Sequence, residues 1–402
     1  MKKKYLVIGA LALSHGFARA QVSDSLFKKE ILNKTEISVL YNQYFQNGNN
    51  SAITGGAGTE KLIVYAPSFD LKKTIRSKDI ITFKGGVDII TSASTDRIDY
   101  ILSSPSLTDE RYHINIGYGR WFEKKDILVS LGSGVSFESA YFSIPANLGI
   151  SHSEKNKMRT YSLDLQMYFD DLRWGRKLNE LKPVGLVYPV ELRYKQWSDI
   201  YTRDSYTLKL GFSQVINKRF IVGLYPEVSY QKGLLATPYH RVYFTDGSER
   251  VENLPHQRWK VSLGIRGNYF AGGRTILRNG ISIYKDDFGI LGIAFDNETS
   301  IKVSNKVSLS PLFRIYYQQG SPFFTPYGKH DPASTFYTSD YDLSEFSSIK
   351  AGLSFRYAPF SYIGKRSLFE ELNLRYAYYY RSNVLMAHIL SLVVNLSFEG
   401  KR

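Results

Sequence analysis

The chain has 402 residues, a formal net charge of +15 and no cysteine, which excludes disulfides, thiolate metal sites and lipid attachment through an N-terminal cysteine. Beyond Leu13 there is no run of even fifteen consecutive apolar residues, so a bundle of membrane-spanning helices is excluded too. A membrane β-barrel is not, because its lipid-facing and lumen-facing residues alternate and average out, and the 31 tyrosines and 24 phenylalanines suit its aromatic girdles.

The chain opens on Lys2, Lys3 and Lys4, an apolar run over residues 5–13, and Ala18-Arg19-Ala20. These are the three parts of a secretory signal, expected to span residues 1–20 and to be cleaved before Gln21. Removing it takes away four basic residues and no acidic one, lowering the net charge from +15 to +11. That surplus favours anionic partners without choosing among them. A short periplasmic segment is expected over 21–35, the barrel over 36–398 and a tail over 399–402.

From there the chain alternates with period two, the signature of strands with two unlike faces. Ile37, Val39, Tyr41 and Phe45 begin it, with Gln43 as a break. Residues 81–89, 112–118, 127–137, 161–169, 186–194, 206–212, 220–230, 259–265, 291–295, 307–317, 349–357 and 372–380 continue it. Segments of about ten residues suit a tilted barrel wall, whereas sandwich strands are usually five or six long. Short links at 123–126, 217–218, 271–273 and 304–306 contrast with long polar ones at 46–60, 91–110, 231–256 and 319–347. The predicted fold is all-β: a transmembrane, antiparallel, up-and-down barrel. A literal count gives about seventeen strands, but closure and sidedness demand an even number; sixteen is the expectation and eighteen the alternative. The difficulty lies between residues 141 and 230, where five candidates stand in place of four or six.

The final strand carries Leu390, Leu392, Val394, Leu396 and Phe398 on one face. It is similar to the C-terminal signal that outer-membrane proteins present to their assembly machinery, although Glu399 to Arg402 follow the aromatic.

With the apolar register facing lipid, the opposite register places Lys84, Arg193, Lys195, Arg266, Arg356 and Arg375 on the lumen side, against carboxylates that include Asp88, Asp164, Glu191 and Glu227. Either a basic pore wall favouring anions or a braced network of ion pairs satisfies that pattern. Two loops are less polar than solvent demands, 233–244 and 321–330; Leu235, Tyr239, His240, Phe323 and Phe324 are the candidates for a constriction or plug. Residues 241–253 read as a hairpin over Asp246-Gly247.

Catalytic and cofactor signals are thin. No nucleophile motif marks any of the six histidines after the signal, and a rim hydrolase would have to rely on His240 with Asp246 or His330 with Asp331. Asp340 and Asp342 have the spacing of a calcium loop and Asp331 is a candidate third ligand, but the glycine and glutamate that complete an EF-hand are missing. No other cofactor is expected. The glycines of 55–58 lack the Lys-Ser/Thr of a phosphate loop, and the aromatics sit in the lipid-facing register, so no nucleic acid is expected.

Several stretches carry a family resemblance: GNNSAITGGAGTEKL (48–62), TSASTDRID (91–99), YFSIP (141–145), DDLRWGR (170–176), YQKGLLATPYHRVYF (230–244), VENLP (251–255), FYTSDYDLSEF (336–346) and RYAP (356–359). The chain resembles the bacterial domain-of-unknown-function family numbered 3570, outer-membrane proteins common in Bacteroidota. The resemblance implies a Gram-negative outer-membrane barrel, in contact with lipids and lipopolysaccharide, and a small lipoprotein as candidate partner. It carries over no catalytic residue. The functions in view are a non-enzymatic channel, a transporter or a scaffold for the lipoprotein, with a barrel hydrolase as the alternative.

Overall fold

The computed structural model describes residues 33–92, 108–138, 141–172, 201–237, 240–364 and 366–399. In chain order the strands are β1 Lys34–Asn47, β2 Leu62–Ile75, β3 Asp79–Ser92, β4 Thr108–Phe122, β5 Ile127–Glu138, β6 Tyr141–Ser153, β7 Arg159–Asp171, β8 Thr202–Asn217, β9 Phe220–Gly233, β10 Arg241–Tyr243, β11 Glu249–Val251, β12 Gln257–Phe270, β13 Thr275–Asp286, β14 Leu291–Lys302, β15 Val307–Gln319, β16 Phe346–Tyr357, β17 Ser361–Ile363, β18 Ser367–Arg381 and β19 Leu385–Glu399. Among the described residues, sixteen of these form the wall. The pair β10 and β11 makes a separate hairpin, and β17 adds a three-residue ladder beside β18.

Each wall strand pairs antiparallel with its neighbour, and β1 pairs with both β2 and β19 (Lys34 opposite Glu399, Asn47 opposite Met386). The sheet is therefore a closed sixteen-stranded barrel with no free edge along the wall. Four strands, β6 to β9, cover the stretch where the alternation suggests five. The candidate at 186–194 lies outside the described residues, and β7 pairs directly with β8.

The alternation follows from the wall being one residue thick. Outward residues remain exposed although they are large and apolar: Ile116 at 58%, Leu131 at 56%, Val261 at 53% and Ile349 at 56%. An apolar belt of this kind fits lipid and would be costly in water. Phe398 belongs to it, opposite Thr35 on β1 and Ser367 on β18.

The inward register is polar, and small where strands β4 to β8 face the lumen. A Cβ at Gly132 would lie 2.5 Å from the Asn147 amide oxygen, and one at Gly149 2.6 Å from the Ser130 hydroxyl. Elsewhere inward cations meet carboxylates on adjacent strands: Lys84 with Asp70 at 3.0 Å, Arg314 with Asp296 at 3.3 Å and Arg356 with Glu371. Arg375 reaches from β18 to Glu298 on β14, 2.8 Å away, across two intervening strands. The inward positions it crosses are serines, Ser354 opposite Arg375 on β16 and Ser310 opposite Ser354 on β15. A register irregularity at 369–371 lets the successive carboxylates Glu370 and Glu371 both serve inward cations, Lys34 and Arg356.

Strands β2/β3, β4/β5, β6/β7, β8/β9, β12/β13, β14/β15 and β16/β18 are joined at one end, where β1 also starts and β19 stops. The long connections are all at the other end.

Candidate functional site

The connections 48–61, 234–256 and 320–345 fold over the loop-bearing end into one structure. Its base is an apolar cluster of Leu234, Leu235, Ala236, Leu254 and Leu343 with Phe288 and Ile290 from the β13/β14 turn and Leu172 and Tyr201 from the tops of β7 and β8. Phe323 and Phe324 pack on it, so Leu235, Phe323 and Phe324 meet in one cluster. Above, Val242, Phe244 and Tyr337 form a second buried group. The expected hairpin is β10 and β11, with Gly247 at φ 82°, a left-handed value that suits the turn. It is stitched to the third loop by Thr245 N–H donating to the His330 carbonyl at 2.9 Å and Tyr337 N–H donating to the Asn253 carbonyl at 2.8 Å.

The connection between β1 and β2 closes the structure. A Cβ on Gly55 would fall 2.3 Å from the Tyr243 ring, and Tyr243 itself lies 4.7 Å, centroid to centroid, from Tyr327. Gly55 follows β1, and Tyr243 lies between β9 and β12, half the circumference away. Sixteen strands about 4.8 Å apart and tilted make a barrel on the order of 30 Å across. Loops rooted on opposite sides can touch only by crossing its mouth, so the three connections are a cap. A cleft of about 700 Å³ remains at its base, lined in part by Pro322, Phe324, Tyr341, Ser344, Glu345 and Asn383.

Charged groups anchor the cap to the wall. Arg381, at the top of β18, donates to Asp342 Oδ1 at 2.7 Å and to the Tyr341 carbonyl at 3.2 Å, with its guanidinium 3.8 Å from the Phe346 centroid. Arg258 pairs with a fully buried Asp286 and lies 4.4 Å over the Phe288 ring. Within the cap, buried Glu252 accepts from the Thr237 amide at 2.5 Å and from the Thr338 hydroxyl, with His240 Nδ1 at 3.4 Å. Burial pushes this carboxyl upward, but His240 and these hydrogen bonds outweigh it and hold the group below the usual carboxylate value. Burial pushes the His330 imidazole down.

These placements revise the loop chemistry expected from sequence. His240 meets Glu252, whereas Asp246 is exposed and caps its own turn through Ser248. Asp331 accepts from the Ala333 amide, and the buried His330 Nε2 has no hydrogen-bond partner. The calcium candidates are used separately: Asp340 caps a short helical turn through the Asp342 amide, Asp342 pairs with Arg381, and Asp331 caps its own turn. Among the described residues no group of three metal-ligating side chains occurs.

Of the lumen cations, Lys84, Arg356 and Arg375 are paired as above, and Arg266 lies 5.3 Å from the Tyr225 ring. Arg193, Lys195 and Tyr239 lie outside the described residues. Sequence reasoning did not single out Glu252, Arg258 or Thr338. Arg258 lies on the inward register near a strand end, which is the one local signal it leaves, and Glu252 sits among Glu249, Arg250 and Asn253, where nothing sets it apart.

The geometry defines a class, a closed β-barrel with a polar interior and a mouth crossed by its own loops. The chain belongs to the family described as Protein of unknown function (DUF3570), which matches residues 101–388. No curated protein matches it. Among solved structures it is similar to one titled bacterial polysaccharide outer membrane secretin (TM-score 0.44, 8% identity, 92% of this chain and 99% of that one). It is also similar to OccK1 (OpdK) of Pseudomonas aeruginosa (TM-score 0.42, 7% identity, 92% and 100% covered) and to a BenF-like porin of Pseudomonas fluorescens Pf-5 (TM-score 0.42, 10% identity, 90% and 99% covered). At such identities no activity passes from those chains to this one.

Proposed function

We propose that the protein is a non-enzymatic channel of the bacterial outer membrane, a water-filled barrel whose outward mouth is gated by its loop cap. One observation carries this reading: both faces of the wall are accessible. Outside, the exposed residues are apolar. Inside, paired charges keep much of their surface, Lys84 42% and Asp70 38%, Arg356 42%, Arg314 39% and Asp296 40%. A side-chain-filled interior would bury them, so a wet lumen suits the geometry better.

Ion pairing leaves a mild charge preference. Among the described inward cations, Arg266 and Lys350 have no carboxylate within ion-pairing distance, which favours small anionic or neutral hydrophilic solutes. A rim hydrolase gains nothing from the loop histidines. His240 is buried, and the nearby Thr338 hydroxyl is engaged by Glu252, where a nucleophile would need to bond the imidazole.

Planar-bilayer recording tests the proposal. The intact barrel should show small conductance steps with weak anion preference, and replacing residues 240–254 by a short glycine-serine link should enlarge them several-fold. Absence of steps from both proteins, each shown to be folded, would remove the channel reading.

A further inference from the structure

We propose that the short-turn end of the barrel is a binding collar for anionic phospholipid headgroups of the inner leaflet of that membrane. This rests on the reading that the barrel spans lipid with its loops outward. Each of the seven connections at this end carries an exposed basic residue at or beside the turn: Lys78, Lys124, Lys155, Lys218, Arg274, Lys306 and Arg366. None of these seven has a carboxylate within ion-pairing distance among the described residues. Of the three acidic residues within the turns, Asp126 is held by Lys157 and Glu154 lies 3.5 Å from Arg159, so the uncompensated charge there is positive.

The wall beside these turns says which anion fits. Exposed aromatics stand on or beside it, among them Phe122, Tyr269, Phe360 and Tyr362. Aromatics mark the depth of the membrane interface. Cations just beyond them lie at the level of lipid phosphates, where each attracts an anionic surface. A dissolved polyanion would have no use for the flanking aromatics.

Native mass spectrometry of the full chain in non-ionic detergent tests the collar, with phosphatidylglycerol and phosphatidylethanolamine of identical acyl chains as probes. The wild type should retain phosphatidylglycerol at several sites with at least about a tenfold preference that fades as salt rises. The combined variant Lys124→Glu, Lys125→Glu, Lys218→Glu, Arg219→Glu should lose most of that preference, while Lys329→Glu at the other end should keep it. Unchanged heat-modifiable migration on gels shows that each variant is folded. Equal retention of the two lipids by the wild type, or an undiminished preference in the fourfold variant, overturns the collar. Conductance measured on the same preparations keeps the outcomes apart, because the gating reading and the lipid preference can each fail while the other stands.

Discussion

The two ends of the barrel are built from the same strands and obey different physics. At the short-turn end the chain reverses locally. Arg76 and Ser77 both take left-handed φ, 52° and 59°, inside a tight turn closed by Lys78 N–H donating to the Ile75 carbonyl at 3.1 Å, and the contacts it makes beyond the hairpin are with its immediate neighbours, Asn33 and Trp121. At the loop end, stability comes from contacts between connections far apart in sequence and on opposite sides of the mouth. The first kind of end is rigid and presents charge. The second is a folded cap with a buried core shared with the strand tops and with buried ion pairs.

Substitutions should separate the ends, beginning with the largest effect. Arg258→Ala leaves Asp286 buried and unpaired and should destabilise the folded barrel by about 3–5 kcal/mol in denaturant titrations; a loss below about 1 kcal/mol would contradict this role. Next, Glu252→Gln weakens a buried carboxylate network inside the cap alone. It should lower protection of residues 240–254 in hydrogen exchange by the equivalent of about 1–3 kcal/mol and leave the strands unchanged.

The pH dependence of the cap should be smaller and has a definite sign. His330 is depressed below 6.5 by burial, so it binds fewer protons folded than unfolded; its contribution is present above about 6.5 and is lost as pH falls toward the depressed value. Glu252 is depressed below 4.5, so its contribution is present above that value and is lost as pH falls through the lower folded one. Both loosen the cap in acid. Protection factors at 240–254 and 330–338, corrected for the intrinsic pH dependence of amide exchange, should fall as pH drops below about 6.5 and again below 4.5, with the short turns unaffected; protection that rises in acid would refute the assignment. Smallest of all, Lys84→Ala removes one arm of a solvated lumen pair and should cost less than about 1 kcal/mol, readable as a slight change in ion selectivity.

How much of this was legible depends on whether a feature is periodic or paired. The alternation at 112–118 or 349–357 announces an outward face because every second residue repeats the same choice. Residues 186–194 alternate just as well, which is why strand counting falters there. Leu235, Phe323 and Phe324 could be flagged because apolar residues in loops need cover. Glu252, Arg258 and Arg381 could not be assigned, because one charge in a sequence does not say which charge it meets.

The sequence by itself determined the wall, since period two is a property of each strand alone and a lipid-facing register must be apolar wherever it occurs. Tertiary structure alone decided the pairing of Arg375 with Glu298 across two strands, the neutralisation of most lumen cations and the meeting of Gly55 with Tyr243 across the mouth. Those contacts depend on inter-strand register and barrel closure, which emerge only when all sixteen wall strands are assembled together.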